Sequence, residues 1–232
     1  LKRNPIWWQT TVASAGNLTS AVYRIFGKPF SEEGKKLFGV PFAQFLKLNS
    51  EFRYHYRIDK NQMIASRIAG GVIWSYGNAT TAPYTEQFYI GGANSVRAFS
   101  ARSIGPGGYP PETDRKYTYI NHVGDIRIEA NIEYRFRMIA DLHGAVFLDA
   151  GNVWLMRKDE NRPDGEFTLK NFPKQIALGT GFGLRYDLDF LVFRLDLGIG
   201  LHDPYDTGKS GYYNIPKFKD SMALHFAIGY PF

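Results

Sequence analysis

The segment from Asp125 to Met138 alternates apolar and polar residues without a break. Its apolar side chains share one face, and its charged or amide side chains share the other. A period of two is the period of a β-strand, in which successive side chains point to opposite faces. A membrane-spanning barrel strand needs such a pattern, because one face meets lipid and the other meets water or buried polar groups. The alternation therefore predicts a strand of an all-β transmembrane barrel.

The same alternation predicts eight strands, which should form one antiparallel up-and-down barrel. They lie at about 7–15, 41–58, 62–76, 125–138, 142–154, 176–186, 191–202 and 222–232. Short turns at 59–61, 139–141 and 187–189 alternate with long loops at about 16–40, 77–124, 155–174 and 203–221. Short periplasmic turns and long surface loops are typical of outer-membrane barrels. We therefore expect residues 1–232 to form one barrel region, with a short amphipathic helix at about 18–26 in the first loop.

Small residues line one side of the last predicted strands, opposite their apolar residues. Glycine recurs there at every second position of two strands (Gly179, Gly181, Gly183, Gly198 and Gly200). Because glycine has no side chain, this inner side leaves space within the barrel. We expect that space to be occupied.

Composition excludes several function classes. The chain has no cysteine, which rules out disulfides, thiol nucleophiles and cysteine zinc sites. Its five histidines are scattered without metal-ligand spacing, and no Ser/His/Asp arrangement or phosphate-binding loop stands out. The net charge of +6 is spread over strands that also carry acids, which favours inner-face and loop charges over nucleic-acid binding. We predict no enzymatic activity, no metal and no cofactor.

The beginning of the chain carries no targeting segment. Residues Leu1 to Pro5 do not form a signal peptide, and no apolar run approaches the ~20 residues of a transmembrane helix. We therefore expect a mature protein or the carboxyl-terminal part of a longer protein, and we favour the latter.

The loop at 77–124 contains Gly91-Gly92 followed by Val96-Arg97-Ala98-Phe99. In this loop, in residues 103–107 and 147–154, and in the final Phe232, the chain resembles the barrels of BamA- and TamA-type outer-membrane assembly proteins, the bacterial surface antigen family. That family carries a Val-Arg-Gly-Phe/Tyr motif in a surface loop that folds back into the barrel, and Ala98 replaces the usual glycine. The resemblance covers the whole chain and implies that its strands are the last eight of sixteen. It also implies periplasmic POTRA domains before the barrel.

A buried arginine must find acidic partners, because an unpaired charge inside a protein is very costly. The candidates for Arg97 are Asp149 and Glu129 on neighbouring strands, with Glu133 behind them. In the family, acids of these two strands hold the motif arginine, and the match falls on Glu129 and Asp149. The resemblance thus implies a structural lock and no catalytic residue.

The last predicted strand carries Phe226, Gly229, Tyr230 and Phe232. An apolar alternation that ends in phenylalanine resembles the signal by which outer-membrane barrels are recognised for insertion. In the family this strand pairs weakly with the first strand and forms a lateral seam. Gly229 and Pro231 fit a weak edge, since proline donates no ladder hydrogen bond. A client strand could pair with that edge.

The function that these features predict is insertion or translocation of proteins at the bacterial outer membrane. The expected partners are outer-membrane lipids, unfolded outer-membrane client proteins, accessory lipoproteins, and the protein's own missing strands and POTRA domains. Two alternatives stay open. One is a stand-alone eight-stranded structural or adhesive barrel, and the other is a two-partner secretion or lipase-fused barrel. The sequence does not decide whether the eight strands close, dimerise or leave open edges.

Overall fold

The computed structural model describes residues 4–30, 32–111, 120–188 and 190–232. Within them the chain forms one α-helix and ten strands of very unequal length. In chain order these are β1 (Ile6–Ala15), α1 (Asn17–Ile25), β2 (Lys36–Leu37), β3 (Val40–Pro41), β4 (Phe45–Arg57), β5 (Gln62–Ser75), β6 (Ile126–Ile139), β7 (Leu142–Trp154), β8 (Ala177–Asp187), β9 (Val192–His202) and β10 (Met222–Ile228). Parts of the predicted segments, namely 1–3, 31, 112–119 and Asp189, lie outside the described residues.

Eight strands form a single antiparallel sheet in the order β1-β4-β5-β6-β7-β8-β9-β10. Each strand pairs with the long strand that follows it in the chain, so the predicted up-and-down arrangement is confirmed. The short strands β2 and β3 form a separate hairpin within the first long loop. The alternation predicts one strand over 41–58, but β4 begins only at Phe45, because Val40–Pro41 pair with Lys36–Leu37 in this hairpin.

The two outer edges of the sheet are not joined. Among the described residues, β1 pairs with β4 alone and β10 pairs with β9 alone. The chain therefore forms an open, partial barrel wall.

The sheet has an inverted distribution of polarity. On β6 the side chains of Glu129, Asn131 and Glu133 are buried, whereas those of Ile132 and Tyr134 are exposed. The other long strands also expose large apolar side chains on this outer face, among them Ile68, Trp74, Leu148, Phe182, Leu195 and Phe226. A sheet in water would bury these apolar groups, whereas a lipid-facing wall exposes them. We call the buried, charged face the inner face.

The helix predicted at 18–26 is present as α1, at Asn17–Ile25. It connects the end of β1 to the β2–β3 hairpin. No helix in the described ranges combines the length and the apolar content needed to cross a membrane.

The predicted course of the last strand is wrong beyond Ile228, where β10 ends. Gly229 adopts a left-handed φ of 84° and Pro231 has no N–H to donate, so the ladder stops. Phe232 is 7% exposed and turns to the inner face, where its ring centre lies 5.5 Å from the Arg67 guanidinium and 5.6 Å from that of Arg135. Phe232 therefore does not face lipid as the alternation predicted.

Candidate functional site

The long loop between β5 and β6 folds onto the inner face of the sheet. Val96 and Arg97 are completely buried, and Ala98 is nearly so. The loop carries its own apolar contacts, since Phe88, Ile90 and Val96 belong to the same buried cluster as the strand residues Phe45, Ile73, Val153 and Ala177. The motif is therefore a packed part of the protein interior.

Inner-face glycines make room for this loop. A Cβ atom at Gly198 of β9 would overlap the carbonyl oxygen of Arg97, and one at Gly179 of β8 would overlap the Ala98 methyl group. The space predicted from the small residues is thus filled by the motif itself. The alanine in the motif is accommodated because Ala98 has no positive φ and its methyl group faces a glycine.

The shape of the motif depends on the two preceding glycines. Gly91 and Gly92 have φ values of 99° and 93°, a region that side chains disfavour. The Gly92 N–H donates to the Phe99 carbonyl at 2.8 Å, and the Phe99 N–H donates to the Val96 carbonyl at 3.1 Å. These bonds close a compact turn that presents Arg97 to β6 and β7.

Arg97 is held mainly by Asp149 of β7. Its Nε donates to Asp149 Oδ2 at 2.8 Å, its Nη2 donates to Oδ1 at 2.9 Å, and its backbone N–H donates to Oδ2 at 3.0 Å. Two parallel bonds from a guanidinium to a carboxylate fix both position and orientation. The guanidinium carbon also lies 3.6 Å from the ring centre of Phe147, on the same strand.

The second acid of Arg97 is Glu133, which accepts a hydrogen bond from Nη1. The resemblance implies Glu129 in this role, with Glu133 as the further candidate behind it. In the described part of the chain Glu129 pairs instead with Arg67, and it lies 3.9 Å from Arg127. Both glutamates are diagonal to Asp149 across the β6–β7 ladder, where Asn131 is its direct neighbour. The motif turn aims the guanidinium toward the Glu133 side.

Asn131 joins the two ion-pair groups. Its Nδ2 donates to Asp149 Oδ1 at 2.8 Å and to the Ser95 carbonyl at 3.0 Å, and its Oδ1 accepts from Arg67 Nε at 3.0 Å. One amide therefore links the motif loop, β5 and β7.

Three further arginines extend this charge cluster along β6, β8 and β9. Arg185 lies 2.6 Å from Asp196 and 3.1 Å from Glu133, and Arg135 lies 2.6 Å from the other Glu133 oxygen. Arg194, directly opposite Arg185 in the ladder, approaches Asp196 at 3.4 Å and bonds Asn94 of the loop. Sequence reasoning missed these residues, although charges that interrupt a glycine-lined inner face were a usable signal.

The four seam residues divide into two groups: Phe226 and Gly229 lie at the edge of the sheet, whereas Tyr230 and Phe232 reach Arg135 of the charge cluster. Phe226 is exposed on the outer face of β10, and Gly229 ends the strand. Tyr230 donates a hydrogen bond to Asp187 at 3.3 Å, and the Arg135 guanidinium lies 4.5 Å from its ring centre. Phe232 and Tyr230 thus connect the end of the chain to the inner-face arginines.

The arrangement suits structural support better than chemistry. Within the described ranges, no group of three His, Asp or Glu side chains could hold a metal ion. The buried charges of the cluster form ion pairs with one another, and Arg97 and the contact between Arg194 and Asn94 fix the loop against the wall.

Close packing of the loop can be tested with one methyl group. We expect Gly198→Ala to lower the free energy of unfolding by about 1–3 kcal/mol, because the added Cβ meets loop backbone that cannot move aside cheaply. The measurement is the denaturant midpoint of the protein purified from outer membranes.

Gly70→Ala is the matched control, since the nearest atom to its new Cβ is the Arg127 carbonyl oxygen at 3.8 Å. Its midpoint should equal that of the unmodified protein. Equal midpoints for the two variants would contradict close packing of the motif on β9.

Comparison with known proteins finds relatives among outer-membrane assembly factors. The chain is 28% identical to the outer membrane protein assembly factor BamA of Nitratidesulfovibrio vulgaris over 204 residues, which cover 86% of the chain and 22% of that protein. It is 29% identical to BamA of Neisseria meningitidis serogroup B over 89 residues, or 36% of the chain and 11% of that protein. The chain therefore spans only about a fifth of the longer-matching relative.

A solved structure supports the fold. The crystal structure of BamA from Haemophilus ducreyi lacking POTRA domains 1–3 superimposes with a TM-score of 0.54 at 17% identity, covering 80% of this chain and 35% of that one. The sequence model of the Omp85 superfamily domain matches residues 36–232. By this match the chain belongs to the Omp85 superfamily, whose BamA members are outer-membrane proteins.

Proposed function

We propose that this chain is the carboxyl-terminal half of the barrel of a factor that inserts or translocates outer-membrane proteins. One observation carries the proposal: the protein's own loop packs on the inner face and is cross-linked to it, while the outer edge of β10 is unpaired within the described residues. In this proposal the β10 edge is where a client strand pairs, and the β1 edge continues into the preceding strands of the same barrel. The names of the BamA relatives support the same activity.

The free edge is formed by the shortest strand of the large sheet. β10 has 7 residues, whereas β4 and β7 have 13 and β5 and β6 have 14. A shorter ladder has fewer hydrogen bonds to lose when the edge moves. An unpaired edge presents N–H and C=O groups that another strand can use, which is the basis of β-augmentation. In this proposal the client's own pairing and burial drive insertion, without nucleotide, metal or other cofactor.

Arg97 stiffens the part of the sheet that does not move in this proposal. Its two acids lie on β6 and β7, and its loop packs on β8 and β9, so one loop braces four adjacent strands. A braced wall concentrates movement at its edges. We propose that the partners are outer-membrane lipids and unfolded client proteins, together with POTRA domains, further strands of the same protein and accessory lipoproteins.

The filled inner face disfavours the stand-alone barrel. An eight-stranded barrel has an interior just large enough for side chains. Here the inner face holds a whole loop segment, including the backbone of Arg97 against Gly198. This favours a wider barrel to which the eight strands contribute a part.

Client pairing at the seam can be tested by disulfide capture. These 232 residues contain no cysteine, so Leu224→Cys on β10 introduces the one thiol of this region. We expect it to form a disulfide with cysteines scanned along the edge strand of a stalled client barrel, because paired strands bring Cβ atoms to about 4.5–5.5 Å. The readout is the yield of the cross-linked species from outer membranes.

Leu197→Cys is the control, because Leu197 is the direct partner of Leu224 on β9. A client strand on the β10 edge would lie about 10 Å from β9, beyond disulfide reach. Equal yields at the two positions, or none at Leu224→Cys, would overturn the seam proposal.

We also propose that the segment ending in Phe232 serves as the signal for the protein's own insertion. Phe232→Ala should lower the amount of inserted protein several-fold. It should also destabilise the inserted fraction by about 3–5 kcal/mol, because the ring is buried between Arg67 and Arg135, so the stability of that fraction is measured beside its amount.

The matched variant is Phe218→Ala, at an exposed position in the β9–β10 loop. It should leave the inserted amount unchanged. Immunoblots of outer membranes measure both. An unchanged level for Phe232→Ala would remove the signal role and leave Phe232 as a packing residue.

A further inference from the structure

The helix α1 packs its polar side against the rest of the protein. Ser20 is fully buried, and its hydroxyl donates to Gln44 Oε1 at 2.7 Å. Leu18, Val22 and Ile25 lie on the opposite face, at the i, i+4 and i+7 spacing of one helical stripe. Leu18 is 86% exposed and Ile25 is 81% exposed. A helix at a water-exposed surface normally buries such a stripe, so this orientation calls for apolar contacts beyond the described residues.

The β2–β3 hairpin extends the same exposed surface. Phe26 directly follows α1, and Phe38 at the hairpin tip is 96% exposed. We call Leu18, Val22, Ile25, Phe26 and Phe38 the apolar patch.

Several contacts hold this patch in place. The ring of Tyr23 on α1 stacks on Phe42 with centres 6.3 Å apart, and its hydroxyl donates to the Lys36 carbonyl of the hairpin. The Lys35 N–H donates to Asn78 Oδ1 at 2.7 Å, which ties the hairpin to the start of the β5–β6 loop. The helix and hairpin therefore form one fixed unit.

The unit sits on the outer side of the barrel wall. The Tyr76 N–H donates to the Gln44 carbonyl at 3.1 Å, which continues the β4–β5 ladder by one pair. By strand alternation Gln44 and Tyr76 share the face of Leu46 and Trp74, which are exposed on the lipid-facing side. Gln44 bonds α1 through Ser20.

Asn17, the first residue of α1, accepts a hydrogen bond from the Tyr76 hydroxyl at 2.8 Å. Two outward-facing positions of the wall thus hold the helix. The apolar patch continues the lipid-facing surface beyond the strand ends, at the end of the sheet that carries the long loops.

Basic side chains border the patch. Arg24, Lys28 and Lys36 are exposed around it, and the acids of the same loop are Glu33, which is exposed, and Glu32, which is half-buried. Apolar stripes flanked by lysine and arginine are typical of helices that lie in the headgroup region of anionic membranes. Phosphate groups at a lipid surface complement this charge.

We propose that α1 and the β2–β3 hairpin form an interfacial anchor, which inserts the apolar patch into the outer leaflet beside the barrel. The occupant of the patch is the lipid surface itself, with anionic phosphate headgroups beside Arg24, Lys28 and Lys36. The anchor fixes the rim of the wall next to β1 at the membrane boundary. This proposal depends on the outer-membrane location of the protein and not on the proposed insertion activity.

The test uses Leu18→Cys in the complete protein, labelled with an environment-sensitive fluorophore. The labelled protein is reconstituted into phosphatidylcholine–phosphatidylglycerol vesicles that contain lipids with nitroxide-bearing acyl chains. We expect strong quenching and a blue-shifted emission. Leu169→Cys is the matched control, because Leu169 is an equally exposed leucine (82%) in the β7–β8 loop, with no apolar helix face around it. Its quenching should be several-fold weaker.

A second probe at Phe38→Cys reports on the hairpin independently, should the Leu18 variant fold poorly. Lack of quenching at both positions, or quenching no stronger than at Leu169→Cys, would overturn the anchor. Disulfide-linked dimers of unlabelled Leu18→Cys would also overturn it, because a second copy would then cover the patch. Quenching at both positions would support the anchor even if client capture at β10 failed.

Discussion

The fold of this chain depends on a buried guanidinium placed between two carboxylates. Arg97, Asp149 and Glu133 are all inaccessible to solvent. Removing one partner of such a cluster leaves an uncompensated charge, which costs about 3–5 kcal/mol. The loop that carries Arg97 must therefore stay on the inner face, and the face must provide space for its backbone. The glycines of β8 and β9 and the turn at Gly91 and Gly92 meet these two requirements.

The inner face, the outer face and helix α1 share one feature: polar side chains face the protein interior and apolar side chains face outward. The inner face gathers arginines and acids around the motif loop, while the outer face presents isoleucine, leucine and aromatic side chains. The helix α1 follows the same rule, since its polar side contacts protein and its apolar side points away. We propose that a wall braced on its inner face and surrounded by lipid on its outer face moves most easily at its edges. Within the described residues, β10 is the shortest strand of the large sheet and its outer edge is unpaired.

Much of the architecture was predictable, because alternation is a local property. The eight long strands, and with them the succession of short and long connections, followed from the period of two, and the helix followed from the amphipathic pattern at 18–26. The β2–β3 hairpin did not, since two-residue strands carry no period. The choice between Glu129 and Glu133 also could not be predicted: both are diagonal to Asp149, and the loop backbone decides between them. In the sequence Phe232 continues the apolar alternation of the last strand. In the structure it turns to the inner face, because Gly229 before it has a left-handed φ that ends the strand.

The central claim is that Arg97 and Asp149 act as one structural unit, and a double-mutant cycle measures this most directly. Free energies of unfolding would be compared for the unmodified protein, Arg97→Met, Asp149→Asn and the double variant. Coupling energies of about 0.5–3 kcal/mol are usual for residues in one ion-pair network, and we expect a value in the upper half of that range. Effects that add within about 0.5 kcal/mol would show independent residues and contradict the account.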